Sequence, residues 1–212
     1  MMKHIRYTLI ADGSSDSTLL KIINWTLNDL FPHFTYEEQF ADFRNLKSPP
    51  KGLDNKIREA SIRFPHDILF IHRDAESTNQ NVFEDRIKEI KAVLQAEHEN
   101  ITVCVVPVKM MENWLLFDKE ALKKAAGNRN FRGEIDIPSF KNLESINQPK
   151  EMLHNLLREI SGLKGRNLDK FNAHQAVHLV ADYIEDFGKL RSLDSYNAFE
   201  NKLKRVMRTF QI

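Results

Sequence analysis

A single cysteine, Cys104, leaves no partner for a disulfide within the chain and points to a reducing compartment. It lies inside the apolar run 103–106, where it reads as a small core residue. No uninterrupted apolar run is long enough to span a bilayer, and Met1-Met2-Lys3-His4 leads straight into a short strand-like run without an apolar signal core. A cytoplasmic protein with no membrane contact is therefore expected. Several chemistries lack their motifs. Gly13-Ser-Ser-Asp-Ser17 does not end in the Gly-Lys-Ser/Thr of a phosphate-binding loop, there is no Gly-x-Gly-x-x-Gly for a dinucleotide, and there is no Gly-x-Ser-x-Gly for a nucleophile elbow. Zinc is disfavoured by the lone cysteine and scattered histidines. His174 and His178 have helical spacing but no glutamate between them of the His-Glu-x-x-His kind, so a polar helix face is expected for both. Internal repeats and low-complexity tracts are also missing.

An excess of either charge is missing too, since 31 basic and 30 acidic residues leave a net charge of only +1. Residues 1–112 carry a small excess of acid and 113–212 a small excess of base. That asymmetry suits an acidic metal site that receives a phosphate chain steered by the other half, and it equally suits ordinary scatter of surface charge. A hydrophobic share of 42% beside 29% charged residues is ordinary for a globular chain and argues against disorder.

What is present is organised around Asp67-Ile-Leu-Phe-Ile-His-Arg-Asp-Ala-Glu76. Four apolar residues in a row read as a strand buried on both faces, and acids follow at once at Asp74 and Glu76. Similar strand-like segments cover 6–12, ending in Asp12-Gly-Ser-Ser-Asp16, and 101–108, followed by Glu112. Gly13 would ease the exit from the first strand into a helix capped by Ser14 or Ser15, with Leu19, Leu20, Ile23, Leu27 and Leu30 at helical spacing. A second strand over 34–43, a helix from Leu53 to Pro65 and one helix over 82–99 complete an alternating pattern. Strand and helix in alternation mean a parallel α/β sheet. From Glu112 only helices follow: one from Trp114 towards Gly127, then 151–160, 173–187 and 195–207. An α/β domain over 1–127 is expected, with a helical extension over 128–212 packed on it as a cap.

In the flavodoxin-like strand order 2-1-3-4, the first and third strands are neighbours and their carboxyl ends form the switch-point crevice. Asp12 would then stand beside Asp74, with Glu112 one strand along. Carboxylates crowded in this way repel unless a cation lies between them, and hard oxygen ligands suit Mg²⁺ or Mn²⁺. Each acid also has a plainer role. Asp16 and Glu112 can be first-turn helix acids, Asp74 and Glu76 can begin a surface loop, Asp118 fits an ordinary exposed helix position, and His72 can be a packed, hydrogen-bonded histidine.

These residues also carry a resemblance. Asp12-Gly-Ser-Ser-Asp16 resembles the Glu-Gly-x-x-Asp motif after the first strand of TOPRIM domains, the metal-binding fold of topoisomerases, primases and nucleases of the overcoming-lysogenization-defect type. Ile71-His-Arg-Asp-Ala-Glu76 occupies the place of their Asp-x-Asp motif. The chain is most similar to TOPRIM-like proteins grouped as family 4276 of domains of unknown function, often linked to ATPases in bacterial defence loci. Their middle motif is similar to Glu112-Asn-Trp-Leu-Leu-Phe-Asp118, and their C-terminal pattern resembles Gln148-Pro-Lys-Glu-Met-Leu153, then Lys170, Ser195 and Phe199. The fold this implies is Rossmann-like. Two positions depart from the pattern: Asp12 stands where the family has Glu, and His72 where the first Asp of Asp-x-Asp stands. A weaker Mg²⁺ site, a preference for Mn²⁺ through the imidazole, or loss of catalysis would each follow.

The resemblance implies a nuclease that cleaves DNA or RNA phosphodiesters with Mg²⁺ or Mn²⁺, together with an ATPase partner. Asp74, Glu76 and Glu112 would hold the cation, Asp12 or Asp16 would move protons, and His72 and Arg73 would meet metal or phosphate. Lys109, Lys164, Arg166 and Lys170 are candidates to hold a nucleic-acid backbone, although solvated helix ends account for them as well. A catalytically impaired module that binds a partner or senses a ligand is the alternative. A receiver-like phosphoacceptor, whose fold gathers acids at the same edge, ranks below both.

Overall fold

The computed structural model describes residues 3–210, with Ser14 and Gln80 described by their backbone alone. Strands β1 (Lys3–Ile10), β2 (Phe34–Phe40), β3 (Ile68–His72) and β4 (Thr102–Val105) form one sheet in the order β2-β1-β3-β4. Every pairing is parallel, with Leu9 opposite Phe70 and Phe70 opposite Val103. All five residues of β3 are buried, as its unbroken apolar run demands. Helix α1 (Leu19–Leu30) links β1 to β2 on one face. Helices α2 (Leu53–Arg63) and α3 (Gln80–Ala92) lead into β3 and β4 on the other face. The chain reverses direction between these crossovers, so right-handed connections must place the helices on opposite sides. The reversal falls between β1 and β3, whose carboxyl ends therefore flank the switch-point crevice.

Alternate residues of the strands feed two cores. Tyr7, Leu9, Phe70, Val103 and Val105 face α1 and the C-terminal helices, with the Tyr7 and Phe70 rings edge to face at 5.3 Å. Ile10, Leu69, Ile71 and Val106 face α2 and α3. The first core continues without a break into the second half of the chain. There α5 (Lys119–Ala125), α6 (Pro149–Ser161), α8 (Ala173–Tyr183) and α9 (Asp194–Met207) supply Leu122, Leu157, Val180 and Phe199; the short α4 (Ala96–Glu99) and α7 (Arg166–Asp169) lie outside it. Trp114 is the hub. Fully buried, it donates its indole N–H to Ser195 Oγ at 3.1 Å and packs edge to face on Tyr196 at 5.4 Å. No helix among the described residues is long and apolar enough to cross a membrane.

Several local expectations need correction: the helix over 173–187 ends at Tyr183, and α1 starts after Thr18 with no serine cap. The stretch 82–99 is not one helix: α3 ends at Ala92 and α4 takes a new direction, which turns His98 inward until its Nε2 lies 2.9 Å from Ser61 Oγ of α2. The helix expected from Trp114 is a tight turn, Met111–Trp114, followed by α5. Trp114, Leu115 and Leu116 are all fully buried, and three consecutive buried residues do not fit one helical stripe. Asp118 is accordingly no mid-helix acid but the cap of α5, accepting the N–H groups of Glu120 and Ala121 at 3.0 Å each. Finally, Gly13 has φ −113°, an extended conformation open to any residue, so no left-handed turn explains it.

Candidate functional site at the switch point

The chain leaves β1 through Asp12 and Gly13 into a short helical turn, Ser14–Thr18. Asp16 locks that turn by accepting the Gly13 N–H at 2.8 Å and the Ser15 hydroxyl at 3.2 Å. The hydrogen bonds point its carboxylate inward, and its side chain is only 14% exposed. Across the crevice β3 ends in His72, then Arg73 and Asp74. A small cavity of about 100 Å³ at this edge is lined by Asp12, Asp16, His72, Arg73, Asp74, Glu76 and Arg86.

His72 is the pivot. Its ring is buried, and Nδ1 lies 3.0 Å from the carbonyl oxygen of Val105 on β4. Only a protonated Nδ1 can donate there, which leaves Nε2 directed at Asp74 Oδ1 at 3.4 Å and Asp16 Oδ2 at 3.9 Å. A lone pair facing two carboxylates is repulsive. A cation or a bridging water between them would relieve that repulsion.

The two strand ends differ in how they satisfy their acids. Asp12 accepts from Lys56 Nζ of α2 at 2.8 Å and pairs with Arg73 Nε at 3.2 Å. Burial alone would raise its pKa, but the Lys56 hydrogen bond and the two cationic charges outweigh it and hold the carboxyl below its ordinary value. Asp74 has one fixed donor, the Met111 N–H at 3.0 Å. Burial, reinforced by the charges of Asp16 and Glu76, pushes it up to about 6 against the opposing pull of His72 and that N–H. Glu112 is buried as well; desolvation raises its pKa, Asp74 and Asp16 add to the rise, and Lys150 opposes it.

Loops after β3 and β4 clasp each other beside the cavity. The Glu76 N–H donates to the Lys109 carbonyl at 2.8 Å and the Lys109 ammonium returns to the Glu76 carbonyl at 3.1 Å. Both residues have positive φ, 58° for Glu76 and 63° for Lys109. Left-handed backbone at a non-glycine residue costs about 1–2 kcal/mol, so this clasp is held by its surroundings. It leaves the Glu76 carboxylate pointing outward, 3.0 Å from Arg86 of α3.

The fold thus gathers Asp16, His72, Asp74 and, by its electrostatic coupling, Glu112. Asp12 lies in the same cavity but is neutralised by cations, and Glu76 contributes mainly its backbone. Arg73 serves Asp12. Lys109 stands at the rim with its ammonium committed to the clasp. Lys164, Arg166 and Lys170 are exposed on and beside α7 and do not line the cavity. Lys56 and Arg86 had no motif in the sequence, and Lys150 was part of the 148–153 stretch without being singled out; packing of α2, α3 and α6 brings the three near the sheet edge. His174 is exposed as expected, whereas His178 is half-buried, with Nδ1 2.7 Å from Thr18 Oγ1.

The donor set fits a divalent cation in kind: two carboxylates and an imidazole whose other nitrogen is anchored on a backbone carbonyl, the usual arrangement behind a metal-binding histidine. Among the described residues, however, no group of three or more His, Cys, Asp or Glu side chains is arranged to hold a metal ion. An ion here would keep much of its water and complete its shell with substrate oxygens, as Mg²⁺ and Mn²⁺ commonly do. Comparisons with protein-family models, curated proteins and solved structures give no match for the chain.

Proposed function

We propose that the chain is a TOPRIM-like, divalent-metal-dependent phosphodiester hydrolase acting on nucleic acid. One observation carries this reading: His72 Nε2, fixed by the Val105 carbonyl, is aimed between the carboxylates of Asp16 and Asp74. Asp74 and His72 would hold the ion, with Asp16 and Glu112 supplying negative charge around it. When bound, the cation supplies charge stabilisation at the phosphate and lowers the pKa of a coordinated water. Asp16, kept in place by Gly13 N–H, accepts the proton released by the attacking water. Arg86, only partly engaged by Glu76 and Glu89, and Arg73 offer guanidinium groups to phosphate oxygens at the rim. The resemblance extends the proposal to defence against foreign nucleic acid with a partner ATPase.

A second reading has its own support. Asp12 stands where the resemblance calls for a free glutamate, yet it is tied into two ion pairs. That is what a catalytically impaired binding module would show. Incubating the protein with plasmid, single-stranded DNA and RNA in Mg²⁺ and in Mn²⁺, beside Asp74→Ala, separates the two. Hydrolase activity predicts cleavage that is greater in Mn²⁺ and reduced roughly 100-fold or more in the variant. No cleavage under either ion, with Mn²⁺ still bound by calorimetry, supports the binding module; no Mn²⁺ binding at all rejects the metal site.

A further inference from the structure

Beside the acidic edge lies a broader, shallow cavity of about 430 Å³. It opens at Met110, one residue before the N–H that holds Asp74, and extends over the first turns of α6 and α8. Lys150 stands in the first turn of α6, directly after Pro149. His154, one turn on, meets His174 of α8 with rings at right angles and centroids 4.7 Å apart. His154 Nε2 is buried with no hydrogen-bond partner, which is a polar atom left unsatisfied at the cavity wall. Gln148 at the amino end of α6 makes no side-chain cap, so no side chain competes with a ligand for the N–H groups of Lys150 and Glu151 that follow Pro149.

We propose that this cavity is a phosphate-binding subsite, formed by Lys150, His154, His174 and the amino end of α6, and that its ligand is a phosphate group of a nucleic-acid chain running across the sheet edge. Identification of the chain as nucleic acid rests on the hydrolase reading; the affinity for phosphate does not. The electrostatic surroundings agree with it. Burial first, then the cationic neighbours His174, Lys150 and Arg158, hold His154 below its ordinary pKa, an environment that a bound anion relieves. Lys150 also lies close enough to Glu112 to act on its carboxyl, so subsite and acidic edge share one field. Glu151, exposed in the same first turn, opposes an anion and sets a limit on affinity.

The test uses the full chain in EDTA, where no cleavage interferes. Histidine ring resonances are followed by NMR while inorganic phosphate, and separately a short single-stranded oligonucleotide, are added. The rings of His154 and His174 should move with both, and the oligonucleotide should bind at least about tenfold more tightly because it adds contacts to the guanidinium groups of Arg86 and Arg73 at the rim. Lys150→Gln and His174→Ala should each weaken the oligonucleotide at least about threefold, and Lys150→Gln should also flatten the salt dependence by about one unit of slope, with Lys150→Arg restoring it. Glu151→Gln should tighten binding. Still rings in both titrations, or unchanged affinity in Lys150→Gln, would overturn the subsite; equal affinity for phosphate and oligonucleotide would overturn its nucleic-acid ligand. Binding that survives while the wild-type chain cleaves nothing in Mg²⁺ or Mn²⁺ rejects the hydrolase and keeps the subsite.

Discussion

Asp12 and Asp74 end adjacent parallel strands and line one cavity, yet their surroundings are opposite. Asp12 is met by Lys56 and Arg73 and is content as an anion. Asp74 is pushed towards its neutral form by burial first and then by the charges of Asp16 and Glu76, against the opposing pull of His72. A carboxylate stabilised by lysine and arginine is structural chemistry, tying α2 to the sheet. A buried carboxylate crowded by other acids carries a standing electrostatic cost, which a proton or a divalent ion removes. Under the proposed function, the comparison favours the end of β3 as the place of the chemistry, although the end of β1 carries the more conspicuous motif.

The strongest way to break this contrast is to exchange the carboxylates for amides one at a time. Asp74→Asn should cut any Mn²⁺-dependent cleavage roughly 100-fold, whereas Asp12→Asn should cost less than about tenfold. Similar losses in the two variants, measured as single-turnover rates, would show that both ends serve the reaction.

Next comes the identity of residue 72. His72→Asp restores an acid where the resemblance expects one, and it should shift the ratio of Mg²⁺ to Mn²⁺ affinity towards Mg²⁺ by about tenfold in calorimetry. An unchanged ratio would place the imidazole outside the ion's reach.

The stability of the metal-free protein sharpens the same point, with signs that differ between the two acids. Asp74 has a folded pKa of about 6, above its unfolded value, so its ionisation opposes folding. Its contribution is most favourable below the unfolded pKa and is lost as pH rises through about 6. Asp74→Asn should therefore stabilise the chain at pH 8 by about 1–2 kcal/mol in urea titrations and flatten the profile between roughly pH 4 and 6. Asp12 has a lowered folded pKa, so it contributes above its unfolded value and that contribution fades only as pH falls through the folded one. Asp12→Asn should thus be mildly destabilising at neutral pH and neutral in strong acid. Identical profiles would dissolve the distinction.

The smallest effect belongs to Lys56→Ala. It frees Asp12 of its closest cation and should alter stability by no more than about 1 kcal/mol, with Mn²⁺ affinity changed less than about twofold. A large gain in metal affinity would mean that Lys56 restrains a latent ligand.

The all-parallel sheet and its order follow closely from the chain itself. The unbroken apolar run of β3, the alternation of strands with helical stripes and the position of acids just after the strands are local signals, and local signals survive into the fold. Boundaries failed where tertiary demands overrode periodicity. His98 turned inward and split one helix into α3 and α4, and the burial of Trp114, Leu115 and Leu116 replaced a helix with a turn. The site was legible only in outline. Asp74, Glu112 and His72 could be named from their places after strands, but the choice between Asp12 and Asp16 depended on which cation reached which carboxylate. That was set by Arg73, inside the motif after β3, and by Lys56, which α2 brings in from a stretch that carries no motif.

What the linear order of residues determined by itself was the switch-point edge and the presence of acids along it, because strand burial and crossover handedness are properties of short segments. What only the assembled structure decided was the charge state each acid prefers. Desolvation and neighbouring charge depend on through-space distances of a few ångströms, and those distances are made by helices that approach from elsewhere in the chain.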